Sequence, residues 1–244
     1  MHIRLINPNT TLAMTELVER SAARVVPADV RIDAVNPSMG PASIESHYEE
    51  ALAVPGLLEQ IALGNASGVD GFAIACFGDP GLDAARELSN GPVLGIAEAA
   101  FHAAAMVGRR FSVMTTLSRT RGRAQELIER YGFAGDCAGV HACDIPVLEL
   151  ESLGEDGIYG IAKACREAVE RDDSDAVVLG CAGMADFCPQ ISQVVGVPVI
   201  DGVVAATGML QGLIRMGVST SRRGEYAAPP AKAMAGLLAP FEIR

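Results

Sequence analysis

The chain has 244 residues, of which 50% are hydrophobic, and a formal net charge of -11. This length suffices for one domain or for two domains of roughly 100 to 120 residues. No apolar stretch approaches the roughly 18 to 20 residues of a membrane span, and the amino terminus MHIRLINPNT lacks the apolar centre of a signal peptide. The acidic charge, without a lysine-rich segment, disfavours a nucleic-acid surface. We therefore expect a cytoplasmic protein that binds a small molecule and neither nucleic acid nor membrane.

The first half of the chain alternates short apolar segments with longer segments of helical period. This alternation is typical of an α/β fold with a parallel sheet. The predicted strands are HIRLIN, VRIDAVN, GFAIA and PVLGI. The predicted helices cover residues 10–26, about 44–63 with an interruption near Pro55, and the segment LDAARELS.

The second half repeats this order after the alanine-rich helix AEAAFHAAAMVG. Its predicted strands are RFSVMTT, GVHACDI, AVVLG and PVID, with helices at RTRGRAQELIERY and at residues 155–172. Cys181 follows Cys76 by 105 positions, and Gly183 follows Gly78 by the same 105. We predict two pseudo-symmetric Rossmann-like lobes, each with a central four-stranded, mainly parallel sheet, and an active site in the cleft between them. The first lobe would comprise residues 1–97 plus about 206–244, and the second residues 98–205.

Six cysteines, at positions 76, 137, 143, 165, 181 and 188, form no C-x-x-C pair, and the four histidines are not spaced as ligand pairs. We expect free thiols and no metal. Cys76 and Cys181 each stand where an apolar strand ends, and parallel sheets bind ligands at that edge. Either cysteine alone would be read as a buried small residue, and the other four are read that way. The matched pair instead suggests an acid and a base on opposite walls of the cleft.

The backbone near both cysteines fits this chemistry. N–H groups at a strand end favour the thiolate, and Gly78 and Gly183 permit close approach of a ligand and supply donors for an enolate oxygen. A pyridoxal phosphate enzyme needs a strand-end lysine, whereas Lys163 lies in a predicted helix and Lys232 in the tail. Neither a nucleotide-binding glycine motif nor a Cys–His pair is evident. We expect no cofactor, and a noncatalytic ligand-binding protein stays an alternative.

Four segments, INPNTT, ACFGDPGLDAARE, GPVLGIAEAA and VLGCAGMAD, together resemble the hydantoin and allantoin racemases of the aspartate/glutamate racemase superfamily. The resemblance runs along nearly the whole chain. It implies two pseudo-symmetric α/β lobes, a cofactor-independent site between them, Cys76 and Cys181 as the acid/base pair, and a homo-oligomer. An amino-acid racemase and an enzyme like maleate isomerase or a decarboxylase of the same fold are the alternatives. A decarboxylase could function with a single cysteine, which disfavours it here.

The loop after the first strand departs from the amino-acid racemases, which carry an acidic residue where this chain has Asn9. Neither this loop nor its counterpart MTTLS contains a cation for an α-carboxylate, so a neutral ring is favoured, either allantoin or another 5-substituted hydantoin. Asn9, Thr115 and Thr116 are predicted to orient the ring, although Asn9 could cap a helix and the threonines could be ordinary strand residues. The remaining predicted substrate contacts are Phe77, Gly78, Ala182, Gly183 and, for the C5 substituent, Ser43.

Overall fold

A computed structural model describes residues 1–243, in which two sheets of four strands each lie among eight α-helices. The strands of the first sheet are β1 (His2–Ile6), β2 (Arg31–Val35), β3 (Gly71–Ile74) and β4 (Val93–Gly95). Those of the second are β5 (Phe111–Thr115), β6 (Cys137–Ala142), β7 (Ala176–Gly180) and β8 (Val199–Asp201). All pairings within both sheets are parallel.

The two sheets have the same topology. Their strand orders are β2-β1-β3-β4 and β6-β5-β7-β8, so adding four to each strand number converts one into the other. Buried side chains occupy every position of β3, β5 and β7, as expected for strands covered on both faces. The predicted α/β fold with two pseudo-symmetric lobes is therefore confirmed.

The helices follow the same repeat. They are α1 (Leu12–Ala23), α2 (His47–Ala66), α3 (Leu82–Leu88) and α4 (Ile96–Val107), then α5 (Arg121–Arg130), α6 (Glu155–Asp172), α7 (Cys188–Val195) and α8 (Gly202–Arg215). The helix that follows each sheet crosses to the other one: α4 packs against β7, α8 packs against β3, and the two helices contact each other. The division of the lobes at residues 97/98 and 205/206 stays a prediction.

One expected detail is wrong. Pro55 does not interrupt the helix that contains it, because α2 continues from His47 to Ala66. Proline removes one backbone hydrogen bond and costs about 3 kcal/mol in a helix interior. The helix nevertheless continues, because Ala53, Leu57 and Ile61 are fully buried along one of its faces.

A single apolar cluster joins the two lobes. It contains Leu5 of β1, Val113 of β5 and Val178 of β7. Phe101 of α4 is fully buried at its centre, and its ring lies 5.5 Å from that of Phe77 in edge-to-face geometry. The lobes therefore share a core, and the loop after β3 is anchored in it through Phe77. In residues 1–243 no helix has both the length and the apolar character needed to cross a membrane.

Candidate active site

A cavity of about 110 Å³ opens where the central strands of both sheets end. Its wall includes residues that follow β1, β3, β5 and β7, the edge at which parallel sheets bind ligands. The predicted site residues in this wall are Asn9, Cys76, Phe77, Gly78, Thr115, Thr116, Cys181 and Ala182. The structure thus brings eight of the ten predicted positions to one cavity that both lobes form.

Cys76 lies half-buried in the first lobe's wall, two residues beyond the end of β3. Burial raises the pKa of its thiol to about 12, and the negative charges of Cys181, Glu50 and Asp79 act in the same direction. The backbone N–H of Gly78 hydrogen-bonds the sulfur and opposes this effect. Cys76 and Cys181 are therefore close enough for the charge on one thiol to influence the other.

Cys181 occupies the equivalent place directly after β7. Burial raises the pKa of its thiol to about 12 as well, whereas hydrogen bonds from the N–H groups of Gly183 and Met184 lower it. As expected, each strand-end N–H group lowers the pKa of the thiol that it contacts. The net shift of each thiol pKa is nevertheless upward, contrary to the expectation. Desolvation outweighs the hydrogen bonds, so the pKa of each thiol lies above its ordinary value.

The N–H groups of Gly78 and Gly183, predicted as donors for an enolate oxygen, have other partners. The N–H groups of Gly78 and Gly183 bond to the neighbouring sulfurs and so stabilise the thiolates. An enolate oxygen would therefore find its donors elsewhere in the wall. Gly183 itself lies behind Cys181, where an added Cβ would meet the Leu150 side chain at 2.9 Å.

Asn9 is buried and lines the cavity, but it does not cap α1, because the N-cap residue of that helix is Thr11. Its Oδ1 accepts hydrogen bonds from the N–H of Thr11 (2.9 Å) and from Nδ2 of Asn7 (2.8 Å), which fixes the turn that leads into α1. Its Nδ2 points toward Sδ of Met14 (3.4 Å), and both side chains line the cavity. Asn9 thus organises the helix start and also presents an amide to the cavity.

Thr115 and Thr116 are both buried at the end of β5. The Thr115 hydroxyl lies 2.9 Å from that of Thr120, and either can donate. The backbone carbonyl of Thr116 accepts from the N–H of Ile145 (3.1 Å). Both threonines line the cavity, so being part of the strand end does not remove them from the site.

Ser43 stands just outside the wall. Its hydroxyl donates to Oε2 of Glu45 (3.2 Å), and Glu45 does line the cavity. The other oxygen of Glu45 accepts from the backbone N–H of Val147 at 2.7 Å, which ties the loop before α2 to the second lobe. Ser43 therefore contacts the site through Glu45.

Sequence reasoning missed the charged part of the wall. The start of α2 contributes His47 and Glu50, and the second lobe contributes Arg119 and Arg123. The side chain of His47 is 78% exposed and stands at the cavity.

The two arginines change the argument that the site lacks a cation for an α-carboxylate. The two strand-end loops lack a cation, as the sequence indicates, yet Arg119 and α5 supply two from beyond the second loop. Glu45 and Glu50 face the same cavity, so the formal charges of the acidic and basic side chains balance. A neutral ligand stays favoured, for this different reason.

Asp79 is buried and lies in the loop after Cys76. Its carboxylate accepts hydrogen bonds from the N–H groups of Ala97 (3.1 Å) and Glu98 (3.0 Å) at the start of α4, and from the Tyr131 hydroxyl (2.8 Å). Burial raises its pKa to about 6 against these bonds. Asp79 thus binds the first N–H groups of α4, a helix that begins 17 residues later in the chain.

Within residues 1–243 no group of three or more His, Cys, Asp or Glu side chains is arranged to hold a metal ion, and all six cysteines are free thiols. The cavity wall contains the two thiols, amide and hydroxyl groups, and a balanced set of charges. This arrangement can move a proton to or from a carbon that lies between the sulfurs.

Comparisons with known proteins identify the family. The family described as Asp/Glu/Hydantoin racemase matches residues 3–210. A hydantoin racemase from Rhizobium meliloti is 47% identical over 236 residues, which cover 97% of this chain and 98% of that protein. One from Pseudomonas sp. (strain NS671) is 44% identical over 241 residues, covering 99% and 97% respectively. The solved allantoin racemase from Klebsiella pneumoniae is 48% identical, with a TM-score of 0.96 over 99% of both chains.

Proposed function

Because the chain belongs to the Asp/Glu/hydantoin racemase family and is a racemase, we propose that it interconverts the enantiomers of 5-substituted hydantoins or of allantoin through two cysteines, without a cofactor. The observation that carries this proposal is the placement of Cys76 and Cys181. They follow equivalent strands of two equivalent sheets and line one cavity. A racemase that works with two bases needs a proton acceptor on one face of the reacting carbon and a proton donor on the other.

The proton transfer begins with one cysteine as thiolate and the other as thiol. The thiolate takes the proton from C5, and the electron pair is delocalised into the adjacent ring carbonyl as an enolate. The thiol then gives its proton to C5 from the opposite face, which leaves the two sulfurs with exchanged protonation states. The same steps in reverse convert the other enantiomer.

The electrostatics of the cavity disfavour two thiolates at once. A charge on Cys181 raises the pKa of Cys76, so the pair resists holding two charges. The N–H of Gly78 on one side, and those of Gly183 and Met184 on the other, are available to whichever sulfur is charged. The mechanism requires this state, with one proton shared by two sulfurs.

A neutral ring fits the remaining wall. Asn9 and the threonines provide amide and hydroxyl groups for ring carbonyls and N–H groups, and they stand at the inner end of the cavity. The carboxylates of Glu45 and Glu50 are matched by two guanidinium groups, so there is no net cation for a free amino acid's α-carboxylate. We propose that Asn9, Thr115 and Thr116 orient the ring.

Serine substitutions test the two-cysteine proposal. Cys76→Ser and Cys181→Ser should each lower kcat for a single-enantiomer hydantoin, followed by polarimetry, by at least about 100-fold, because general acid–base catalysis is worth about 10²–10⁴. Cys137→Ser is the matched control, since Cys137 is a half-buried free thiol outside the cavity wall. Its activity should stay within about twofold of the parent enzyme. A normal rate in either cavity-cysteine variant would refute the two-base mechanism.

Solvent exchange gives a second test. In D2O a two-base enzyme places deuterium at C5 mainly in the inverted product during the early reaction. Equal early exchange into recovered substrate and product would indicate one shared base instead. A panel of single enantiomers, including allantoin, hydantoins with amino-acid side chains and free aspartate and glutamate, distinguishes the substrate classes.

A further inference from the structure

The loop that carries Cys76 is held by the opposite lobe. Arg123 of α5 donates from Nη2 (2.8 Å) and Nε (3.2 Å) to the backbone carbonyl of Gly78, two residues beyond the cysteine. The Tyr131 hydroxyl, just after α5, donates to Asp79 at 2.8 Å in the same loop. The second lobe thus hydrogen-bonds the first lobe's cysteine loop at two successive residues.

The same relation holds in the other direction. Arg20 and Arg24, in and just after α1 of the first lobe, form ion pairs with Asp186, five residues beyond Cys181 (3.2 and 2.6 Å). Helices α1 and α5 are equivalent, because each follows the first strand of its half in the chain. Each cysteine loop is therefore fastened by the equivalent helix of the other lobe.

One position breaks the symmetry. Met14 is the third residue of α1 and Arg123 the third of α5, and both line the cavity. The Met14 methyl group packs near Gly183, 3.8 Å from where a Cβ would stand, whereas Arg123 bonds to the carbonyl of the equivalent Gly78. The Cys181 side thus has a thioether where the Cys76 side has a cation.

The charges around Cys76 explain why a cation is needed there. The groups that act on Cys76 are Glu50 of α2, Asp79 of its own loop, and Cys181 of the second lobe, all of which disfavour a thiolate. Oε1 of Glu50 lies 2.6 Å from Nη2 of Arg123, and the Glu50 side chain is only 17% exposed. Burial raises the pKa of Glu50, and Arg123 opposes this effect.

We propose that Arg123 is a positioning residue for the proton transfer: it holds the Cys76 loop against the second lobe and balances the charge of Glu50 beside the thiol. The proposal rests on the function proposed above. Loss of Arg123 releases the carbonyl of Gly78, the residue whose N–H bonds the sulfur. It also leaves the Glu50 carboxylate near Cys76 without its guanidinium partner, with only the exposed His47 at 4.0 Å. The reacting carbon then faces a thiol that is displaced and harder to ionise.

The test replaces Arg123 by the residue found at the equivalent place in the first lobe. Arg123→Met should lower kcat by about 10- to 100-fold, with a smaller change in KM, because small displacements of a catalytic group are costly. Arg123→Lys keeps the charge and should retain an intermediate kcat. Glu126→Gln is the matched control. It removes the exposed second partner of Arg123 (3.4 Å), and activity should stay within about twofold.

Alkylation of Cys76 by iodoacetamide gives a readout that needs no substrate. The tryptic peptide between Arg31 and Arg86 contains Cys76 and no other cysteine, so mass spectrometry follows this thiol alone. Only the thiolate reacts, and loss of a nearby cation raises a thiol pKa by about one unit, so the rate at pH 8.5 should fall about tenfold in Arg123→Met. Adding Glu50→Gln to this variant should restore most of the rate.

A merely structural role makes the opposite prediction, because a loosened loop exposes Cys76 and accelerates alkylation. The proposal is overturned if Arg123→Met alkylates as fast as the parent or faster, or if its kcat per folded molecule, with folding measured by circular dichroism, is unchanged. Failure of the proposed function would appear separately, as a parent enzyme that does not racemise hydantoins but whose Cys76 alkylation still depends on Arg123.

Discussion

Asp79→Asn tests how the buried carboxylate beside the Cys76 loop affects folding. Burial raises the pKa of Asp79 from its ordinary value of 3.8 to about 6. Between these two pH values the unfolded chain loses this proton while the folded chain keeps it. The contribution of Asp79 to stability is therefore fully present below about pH 4 and is lost as the pH rises through about 6.

The magnitude follows from the two pKa values. A difference of about two pH units, at 1.36 kcal/mol per unit, is about 3 kcal/mol of unfolding free energy. The side chain is only 3% exposed, so solvent screening hardly reduces this figure. Because asparagine does not titrate, the unfolding free energy of the variant relative to the parent should rise by about 3 kcal/mol from pH 4 to pH 7.5.

Urea unfolding followed by circular dichroism at 222 nm measures this difference, since the chain contains no tryptophan for fluorescence. With an m-value of about 2–3 kcal/mol/M, the midpoint of the variant relative to the parent should move by about 1 M across the pH range. Other titrating groups, such as Asp33 and Asp172 with their lowered pKa values, occur in both proteins and cancel. A difference that is constant with pH, or that falls as the pH rises, would refute the reasoning.

Two further changes probe the cap and the rim of the cavity. Gly95→Ala would drive a Cβ into the Asp79 carboxylate and should destabilise the protein by about 2–3 kcal/mol in urea, whereas Gly208→Ala, where a Cβ meets no atom within 4 Å, should be neutral or slightly stabilising. Equal effects of the two alanines would contradict the close approach. Arg119→Ala removes an exposed cation from the cavity wall. For a hydantoin whose C5 substituent ends in a carboxylate, kcat/KM should fall about two- to fivefold. For 5-isopropylhydantoin, kcat/KM should stay unchanged. An equal loss for both substrates would show that Arg119 does not distinguish the substituents.

The fold could be predicted because the sequence signals for it are local and occur twice along the chain. Each strand is a short apolar run, and the second half of the chain repeats the first at a nearly constant offset, so pairing order and lobe symmetry follow together. Residues 155–172 and the strand AVVLG were predicted with the bounds that the structure shows. The helix through Pro55 was not, because burial of its apolar face is a tertiary effect that no local signal reveals.

The candidate site also has a part that the sequence predicts and a part that it does not. Thr115 is the last residue of β5, and Asn9, Cys76 and Cys181 follow their strands within three residues, so the edge of each sheet places them in the cavity. Arg123 reaches the site only because the other lobe's loop comes to it, and a helical arginine in RTRGRAQELIERY looks like a surface residue. The signal that was available is its equivalence with Met14, the third residue of α1.

The sequence could not predict whether the pKa of the two thiols is raised or lowered overall. Hydrogen bonds at a strand end can be anticipated from the chain's path, and Gly78 and Gly183 do make them. The opposing desolvation depends on how completely the two lobes enclose the sulfurs. That quantity is set by the shared core and by the side chains of α2, neither of which is local to the cysteines.

The reciprocal fastening of the cysteine loops has a consequence for the origin of the fold. A polypeptide with one lobe only would hold a single cavity cysteine, and the helix that fastens its loop would have to come from another molecule. Two such chains in a symmetric pair would exchange these contacts and complete the cavity. Joining two such chains into one would replace the assembly equilibrium by a covalent link. The two halves could then differ, as they do where Met14 occupies the place equivalent to Arg123.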